Sequence, residues 1–206
     1  MIAALAALLI FAWLAGEAIR GNTMGFDLAV RGAVHSWASP VLTRAMAGVT
    51  WLGNPWFAIV LSVALGGILI RQGRSRRLAV FLIAAPAGSE LLNRILKAIV
   101  HRPRPAAFFH LAQPETYSFP SGHAMCAASF YGAFAVVLIA GGAPKSTSWL
   151  GAIAAALVIG FSRVYLGVHY PTDVLAGYLA AAVWLAALLR YRSDAKDRNP
   201  MSKPRV

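Results

Sequence analysis

Three short polar stretches interrupt an otherwise apolar chain, and each carries residue types suited to handling phosphate. Ser162-Arg163 is followed by five residues, His169, three residues and Asp173. Lys97 is followed by six residues and Arg104-Pro105, and the tetrapeptide Pro120-Ser121-Gly122-His123 lies between these two stretches. A neutral imidazole can attack phosphorus and carry the phosphoryl group as a phosphohistidine, dividing one difficult hydrolysis into two easier steps. Attack requires the second ring nitrogen to be protonated and the ring held still. Asp173, four residues beyond His169, is spaced for that task if Tyr170-Pro171-Thr172 turns into a helix. Pro171 favours such a turn, because proline is well accommodated at the first helical position. Asp173 would also complement the dipole of that helix, a plainer role compatible with the first. His123, as an imidazolium, could protonate a leaving oxygen. Ser121 and Gly122 open the helix that His123 begins, and a helix N-terminus is a ready anion site. Lys97, Arg104 and Arg163 would neutralise phosphoryl oxygens, the arginines as bidentate forks and the lysine as a point charge.

The elements that must position these residues read as membrane helices. The chain has 206 residues, is 59% hydrophobic and 13% charged, with a mean hydropathy of +0.64. A soluble domain is about a quarter charged, so the composition points to a protein that crosses a membrane several times. The net charge of +12 sits in short clusters between apolar runs. That pattern fits cytoplasmic loops and anionic headgroups, not the continuous basic face that nucleic acid requires. The single cysteine, Cys126, lies in an apolar run and reads as a small buried hydrophobe.

Six spans are expected. Met1 to about Arg20 reads as a retained first helix, with Glu17 an interfacial carboxylate. Val49–Ile70 offers 22 residues without a charge, enough to cross a hydrocarbon core of about 30 Å. Leu78 to about Lys97 is the third span and carries Glu90, Asn93 and Arg94. These face either a functional cavity or one another. Ala124–Ala143, Ser146–Ser162 and Val174–Leu189 complete the set. Between the first two spans, Phe26, Leu28, Val30, Val34, Trp37, Val41 and Leu42 recur at helical spacing through Gly21–Thr50. They predict amphipathic interfacial helices on the membrane surface, and His35 among them has no motif around it. The expected fold is all-α, a single integral-membrane domain over residues 1–192, followed by a basic, disordered cytoplasmic tail over 193–206. Arg71–Arg77, Lys145 and that tail then share one side, the cytoplasmic one. The loops holding Lys97–His123 and Arg163–Asp173 emerge together on the other.

Each polar stretch alone is weak, since Ser-Gly-His, Arg-Pro and His-x-x-x-Asp all occur commonly as plain structure. Their order and spacing together match the three-part signature of the type 2 phosphatidic acid phosphatase family, which the chain resembles over about Leu78 to Leu189. The resemblance implies a six-helix membrane fold and hydrolysis of phosphate esters without a metal or other cofactor. It implies His169 as nucleophile, Asp173 as the residue that orients it and His123 as general acid. Lys97, Arg104, Ser121, Gly122 and Arg163 become phosphate ligands by the same likeness. His101, Arg102 and His110 fall outside the signature and read as ordinary loop residues, although Arg102 has the chemistry to touch a headgroup. Tyr117 and Phe119 read as packing residues.

The resulting expectation is a lipid phosphatase of the bacterial cytoplasmic membrane with both termini cytoplasmic and its site facing outward. Its partners are the bilayer and a lipid phosphate, with no obligate protein partner. Undecaprenyl diphosphate is the favoured substrate, because small six-span family members resemble enzymes acting on it. Phosphatidate, phosphatidylglycerophosphate and lipid A phosphatases are alternatives. So is a non-catalytic lipid-phosphate binder, but the loss of His123 or His169 expected of one is not seen. A soluble vanadium haloperoxidase shares the phosphate ligands but not the apolar spans.

Overall fold

The computed structural model describes residues 2–109 and 116–197, with backbone alone for 193–197. His110 and residues 198–206 of the basic tail lie outside the described residues. Among the described residues the regular structure is entirely helical: α1 (Ile2–Ile19), α2 (Met24–His35), α3 (Pro40–Trp51), α4 (Pro55–Arg71), α5 (Arg76–Val100), α6 (Gly122–Ala140), α7 (Lys145–Tyr165) and α8 (Pro171–Asp197).

α1, α5, α6, α7 and α8 are each long and apolar enough to cross a membrane, and α3 with α4 make a sixth span if that bent pair is counted as one. α6 is the centre of the bundle and packs against α4, α5, α7 and α8. Its buried surface is rich in small residues, including Ala124, Ala127, Gly132, Ala133 and Ala135. Such residues let helix backbones approach closely where lipid removes the hydrophobic drive for association. α1 packs on α8 and buries only Ala7, Leu14 and Ala18. Phe11 and Ala15 pack partly against the cluster that holds Leu14 and Ala18, while Leu5, Leu8, Leu9, Ile10 and Trp13 are exposed, as on a lipid-facing helix.

One expectation about the helices is corrected by the structure. The apolar run Val49–Ile70 is not one helix: α3 and α4 meet at a 50° bend around Leu52–Asn54. Asn54 caps α4 by accepting hydrogen bonds from Trp56 N at 2.9 Å and Phe57 N at 3.3 Å, and Pro55 occupies the first helical position. That pairing is a strong helix start, and it outweighs the continuity of the apolar run. α2 is amphipathic as expected, and its inward face carries Asp27 and Arg31 together with Val34. Asp27 and Arg31 are 0% and 6% exposed, whereas Phe26 and Leu28 are 55% and 52% exposed. The helical period identified an amphipathic helix correctly but could not say which face is the inner one.

Candidate active site

The chain brings the three polar stretches to one end of the bundle. α5 is capped by His101, which adopts the left-handed conformation (φ 52°) and turns the chain into the loop carrying Arg102 and Arg104. α7 ends at Leu166, and Gly167 (φ 72°) reverses the chain before His169. A Cβ at Gly167 would lie 2.5 Å from the Phe108 ring, so both conformation and space demand glycine there. α8 then begins at Pro171, as the sequence predicts. Ser121 N donates to the Asp173 carbonyl at 2.9 Å, tying the start of α6 to the start of α8.

A cleft of about 620 Å³ opens at this junction. Lys97, Arg104, Gly122, His123, Arg163 and His169 all line it. Asp173 stands behind His169, fully buried, with Oδ2 3.3 Å from His169 Nδ1 and accepting the Tyr170 N–H at 2.9 Å. Ser121 is also fully buried and does not line the cleft. Gly122 leaves room for Asn93, whose Oδ1 would lie 3.0 Å from a Cβ at that position. Asn93 Nδ2 in turn donates to the Pro120 carbonyl at 3.1 Å, so α5 fixes the start of α6. The polar residues of α5 therefore divide: Asn93 supports the site, while Arg94 Nε pairs with Glu90 at 2.7 Å on the rim of the cleft.

The hydrogen bonds define the state of the nucleophile candidate. Arg104 Nη1 lies 3.3 Å from His169 Nε2. A guanidinium can only donate, so Nε2 carries the lone pair and Nδ1 carries the proton that faces Asp173. Burial first, then the nearby Arg163, Arg104 and Lys97 cations, hold the His169 imidazole well below its ordinary pKa of 6.5. The ring is therefore neutral, as a nucleophile must be. The cations are held by other groups around the cleft. Arg104 Nε donates to the Thr116 carbonyl at 2.6 Å, Arg163 Nη1 donates to Thr50 Oγ1 at 2.7 Å, and Lys97 Nζ donates to the Tyr117 carbonyl. Thr50 brings α3 into the site. Arg163 Nε and Ser121 Oγ are buried with no protein hydrogen-bond partner. Of the two, Arg163 lines the cleft and fits a group rich in acceptor oxygens such as phosphate, since orphaned buried polar atoms are costly. Among the described residues no group of three or more His, Cys, Asp or Glu is arranged to hold a metal ion.

The PAP2 superfamily profile matches residues 78–197. The chain belongs to the PAP2 superfamily. As a PAP2 protein it is a multi-span membrane phosphatase, and its relatives agree. It is 34% identical to phosphatidylglycerophosphatase B of Bacillus subtilis over 83% of this chain and 86% of that one. It is 32% identical to the undecaprenyl-diphosphatase of Sulfolobus acidocaldarius over 59% of this chain and 58% of that one. Among solved structures it resembles the transmembrane PAP2-type phosphatidylglycerolphosphate phosphatase of Bacillus subtilis, with a TM-score of 0.86 and 29% identity. That match covers 94% of this chain and 98% of the other.

Several residues near the PAP2 site escaped the sequence reading. Arg102 is not an ordinary loop residue: its side chain is 3% exposed and bridges two buried carboxylates. Nη1 donates to Asp173 Oδ1 at 2.6 Å and Thr172 Oγ1 at 2.8 Å, and Nη2 donates to Asp27 Oδ2 at 2.6 Å and Thr23 Oγ1 at 2.9 Å. Burial alone would lower its pKa, but Asp173 and Asp27 more than reverse that and keep it charged. It does not line the cleft, so the structure does not put it where a headgroup would sit. His101 does line the cleft, its ring edge-on to Tyr117 at 4.5 Å between centroids. His35 stacks on Phe108 at 3.9 Å, a structural role as expected. Phe119 is fully buried beside Phe11, and Tyr117, half exposed, lines the cleft.

Proposed function

We propose that this protein removes phosphate from a membrane lipid through a covalent intermediate on His169. The observation that carries the reading is the placement of His169, with Asp173 Oδ2 3.3 Å from Nδ1 and Arg104 Nη1 3.3 Å from Nε2 at the edge of the cleft. In the first step Nε2 forms a bond to phosphorus while the bond from phosphorus to the lipid oxygen breaks, and His123 gives that oxygen a proton. Arg104 moves from Nε2 to the phosphoryl oxygens, joining Lys97 and Arg163 where negative charge accumulates. Gly122, which lines the cleft at the start of α6, supports the same oxyanion. Asp173 stabilises the imidazolium character that develops as Nδ1–H is drawn towards it. In the second step water attacks phosphorus, His123 takes its proton, and the P–N bond breaks to release inorganic phosphate.

The cleft also supports a lipid substrate. Trp56 and Pro55, at the start of α4, line its wall beside α5, giving an apolar side to a site whose floor is cationic. The extended likeness to a phosphatidylglycerophosphatase, in sequence and in structure, makes phosphatidylglycerophosphate our first choice of substrate. It displaces undecaprenyl diphosphate, which the sequence reading favoured. Undecaprenyl diphosphate remains the second reading, supported by the relative from Sulfolobus acidocaldarius.

The four arginines of Arg71–Arg77 join α4 to α5 at the end of the bundle opposite the cleft, and Lys145 begins α7 at that same end. Positive charge favours the cytoplasmic side, so the cleft faces outward from the cytoplasmic membrane and both termini lie inside.

The test is phosphate release by purified protein in the presence of a chelator, offering phosphatidylglycerophosphate, phosphatidate and undecaprenyl diphosphate in parallel. Release from phosphatidylglycerophosphate at the highest kcat/KM supports the first reading. A preference for undecaprenyl diphosphate supports the second, and release from none of the three overturns both.

A further inference from the structure

The Asp173 carboxylate has two oxygens with separate tasks. Oδ2 receives His169 Nδ1–H and the Tyr170 N–H, and Oδ1 receives Arg102 Nη1. The far end of the same guanidinium is clamped by Asp27 Oδ2 and Thr23 Oγ1. Asp27 is itself fixed, because its Oδ1 accepts the Thr172 N–H at 3.0 Å and its carboxylate accepts the Thr172 hydroxyl. Thr172 immediately precedes Asp173, so the contacts form a closed circuit: Asp27, Arg102, Asp173 and back through the chain to Thr172. Both carboxylates are fully buried and the Arg102 ring-stacking partner, Tyr170, lies 4.1 Å from its guanidinium carbon.

We propose that Asp27 and Arg102 are positioning residues for catalysis, fixing the rotation of the Asp173 carboxylate so that Oδ2 is always the oxygen presented to His169. This rests on the reading of Asp173 as the residue that orients the nucleophile. A planar guanidinium with both ends held is suited to the task, since it restrains direction as well as distance. A lone helix-dipole role for Asp173 would need no such clamp. The arrangement also places α2 within the catalytic apparatus, since Asp27 is its inward-facing acid. Arg31, one turn further along α2, is directed elsewhere, to the Ala106 and Gly167 carbonyls, and does not substitute for Arg102.

Charge gives the circuit a distinctive signature. Removing Arg102 leaves Asp27 and Asp173 as like charges without the cation between them, so Asp173 turns away from its working position. Removing Asp27 as well relieves that repulsion. The experiment compares Arg102→Met, Asp27→Asn, the double variant and His169→Ala as full-length purified proteins, with rates expressed per folded molecule. Arg102→Met is expected to lose about 10²-fold in kcat, the cost of a small misplacement at a reacting centre, with KM changed by less than about threefold. The double variant is expected to regain roughly tenfold over Arg102→Met, a coupling that additive effects do not give. Equal kcat in the single and double variants, or losses confined to KM or to the folded fraction, overturn the proposal. If Arg102→Met does not fold, Arg102→Lys takes its place. Its ammonium keeps the charge but cannot fork to both carboxylates, so kcat falls with KM retained, and an unchanged kcat overturns the proposal. Orthovanadate affinity, measured on the same proteins, separates the two levels of the account. Vanadate bound by wild type and lost in His169→Ala, without lipid turnover, rejects the lipid reading but still scores the positioning proposal through weaker vanadate binding by Arg102→Met. No vanadate binding and no turnover by wild type overturn both.

Discussion

His169 Nδ1 and Asp173 Oδ2 stand 3.3 Å apart with both side chains buried, so the imidazole turns Nδ1–H to the carboxylate and the Nε2 lone pair to Arg104 and the cleft. Substituting Asp173→Asn keeps the shape of the side chain while removing the charge and offering a donor where an acceptor is needed. Loss of the orienting carboxylate in a comparable hydrolytic triad costs about 10⁴-fold. A fall in kcat of roughly 10³–10⁴-fold is expected here, measured as initial phosphate release by the folded variant. A loss below tenfold would separate Asp173 from the chemistry.

His123 lines the same cleft and is assigned the proton that the leaving oxygen needs. A phosphate leaving group departs more readily than an alkoxide, so it depends less on that proton. His123→Ala is therefore expected to reduce phosphatidylglycerophosphate or phosphatidate hydrolysis by at least tenfold more than undecaprenyl diphosphate hydrolysis, on the order of the range for general acid catalysis. Equal losses on the two kinds of substrate count against the assignment.

Burial, reinforced by Arg163, Arg104 and Lys97, lowers the His169 pKa well below 6.5 in the folded protein. The unfolded chain returns that imidazole to about 6.5. The unfolded state thus binds the extra proton first as pH falls, and the stability supplied by the neutral buried ring is present above pH 6.5 and lost below it. The stability difference between wild type and His169→Ala should fall by up to about 1.4 kcal/mol per pH unit below pH 6.5. Thermal unfolding of both proteins between pH 7.5 and 5.5 measures it. A difference that stays constant or grows as pH falls would mean His169 is not held neutral.

That the three polar stretches belong together was legible, because an oily chain has no other reason to place histidines, cations and a carboxylate at fixed spacing, and the structure brings Lys97, Arg104, His123, Arg163 and His169 to one cleft. Pro171 also marked the start of α8 correctly, because its effect is local. The break between α3 and α4 was written in Asn54-Pro55, but an apolar run long enough for a membrane concealed it. Arg102 and Asp27 were not legible as partners. They lie 75 residues apart, and neither belongs to a local motif. The periodicity of α2 is the same whether its polar face meets water or Arg102, so only tertiary packing decides between them.

Gly167 supports the site through its backbone. Its φ of 72° and the 2.5 Å approach of Phe108 to a would-be Cβ both penalise a side chain, and its carbonyl accepts from Arg31 at 3.0 Å. Gly167→Ala is expected to cost about 2 kcal/mol of stability from backbone strain and crowding. A clearly lowered Tm is the expected readout, and an unchanged Tm would show that the turn adapts.

If His169 carries the phosphoryl group, phosphate release from phosphatidylglycerophosphate in chelator, measured at matched folded concentrations, is sustained by wild type and does not rise above the enzyme-free rate with His169→Ala. Turnover by His169→Ala at a rate comparable to wild type would contradict that role.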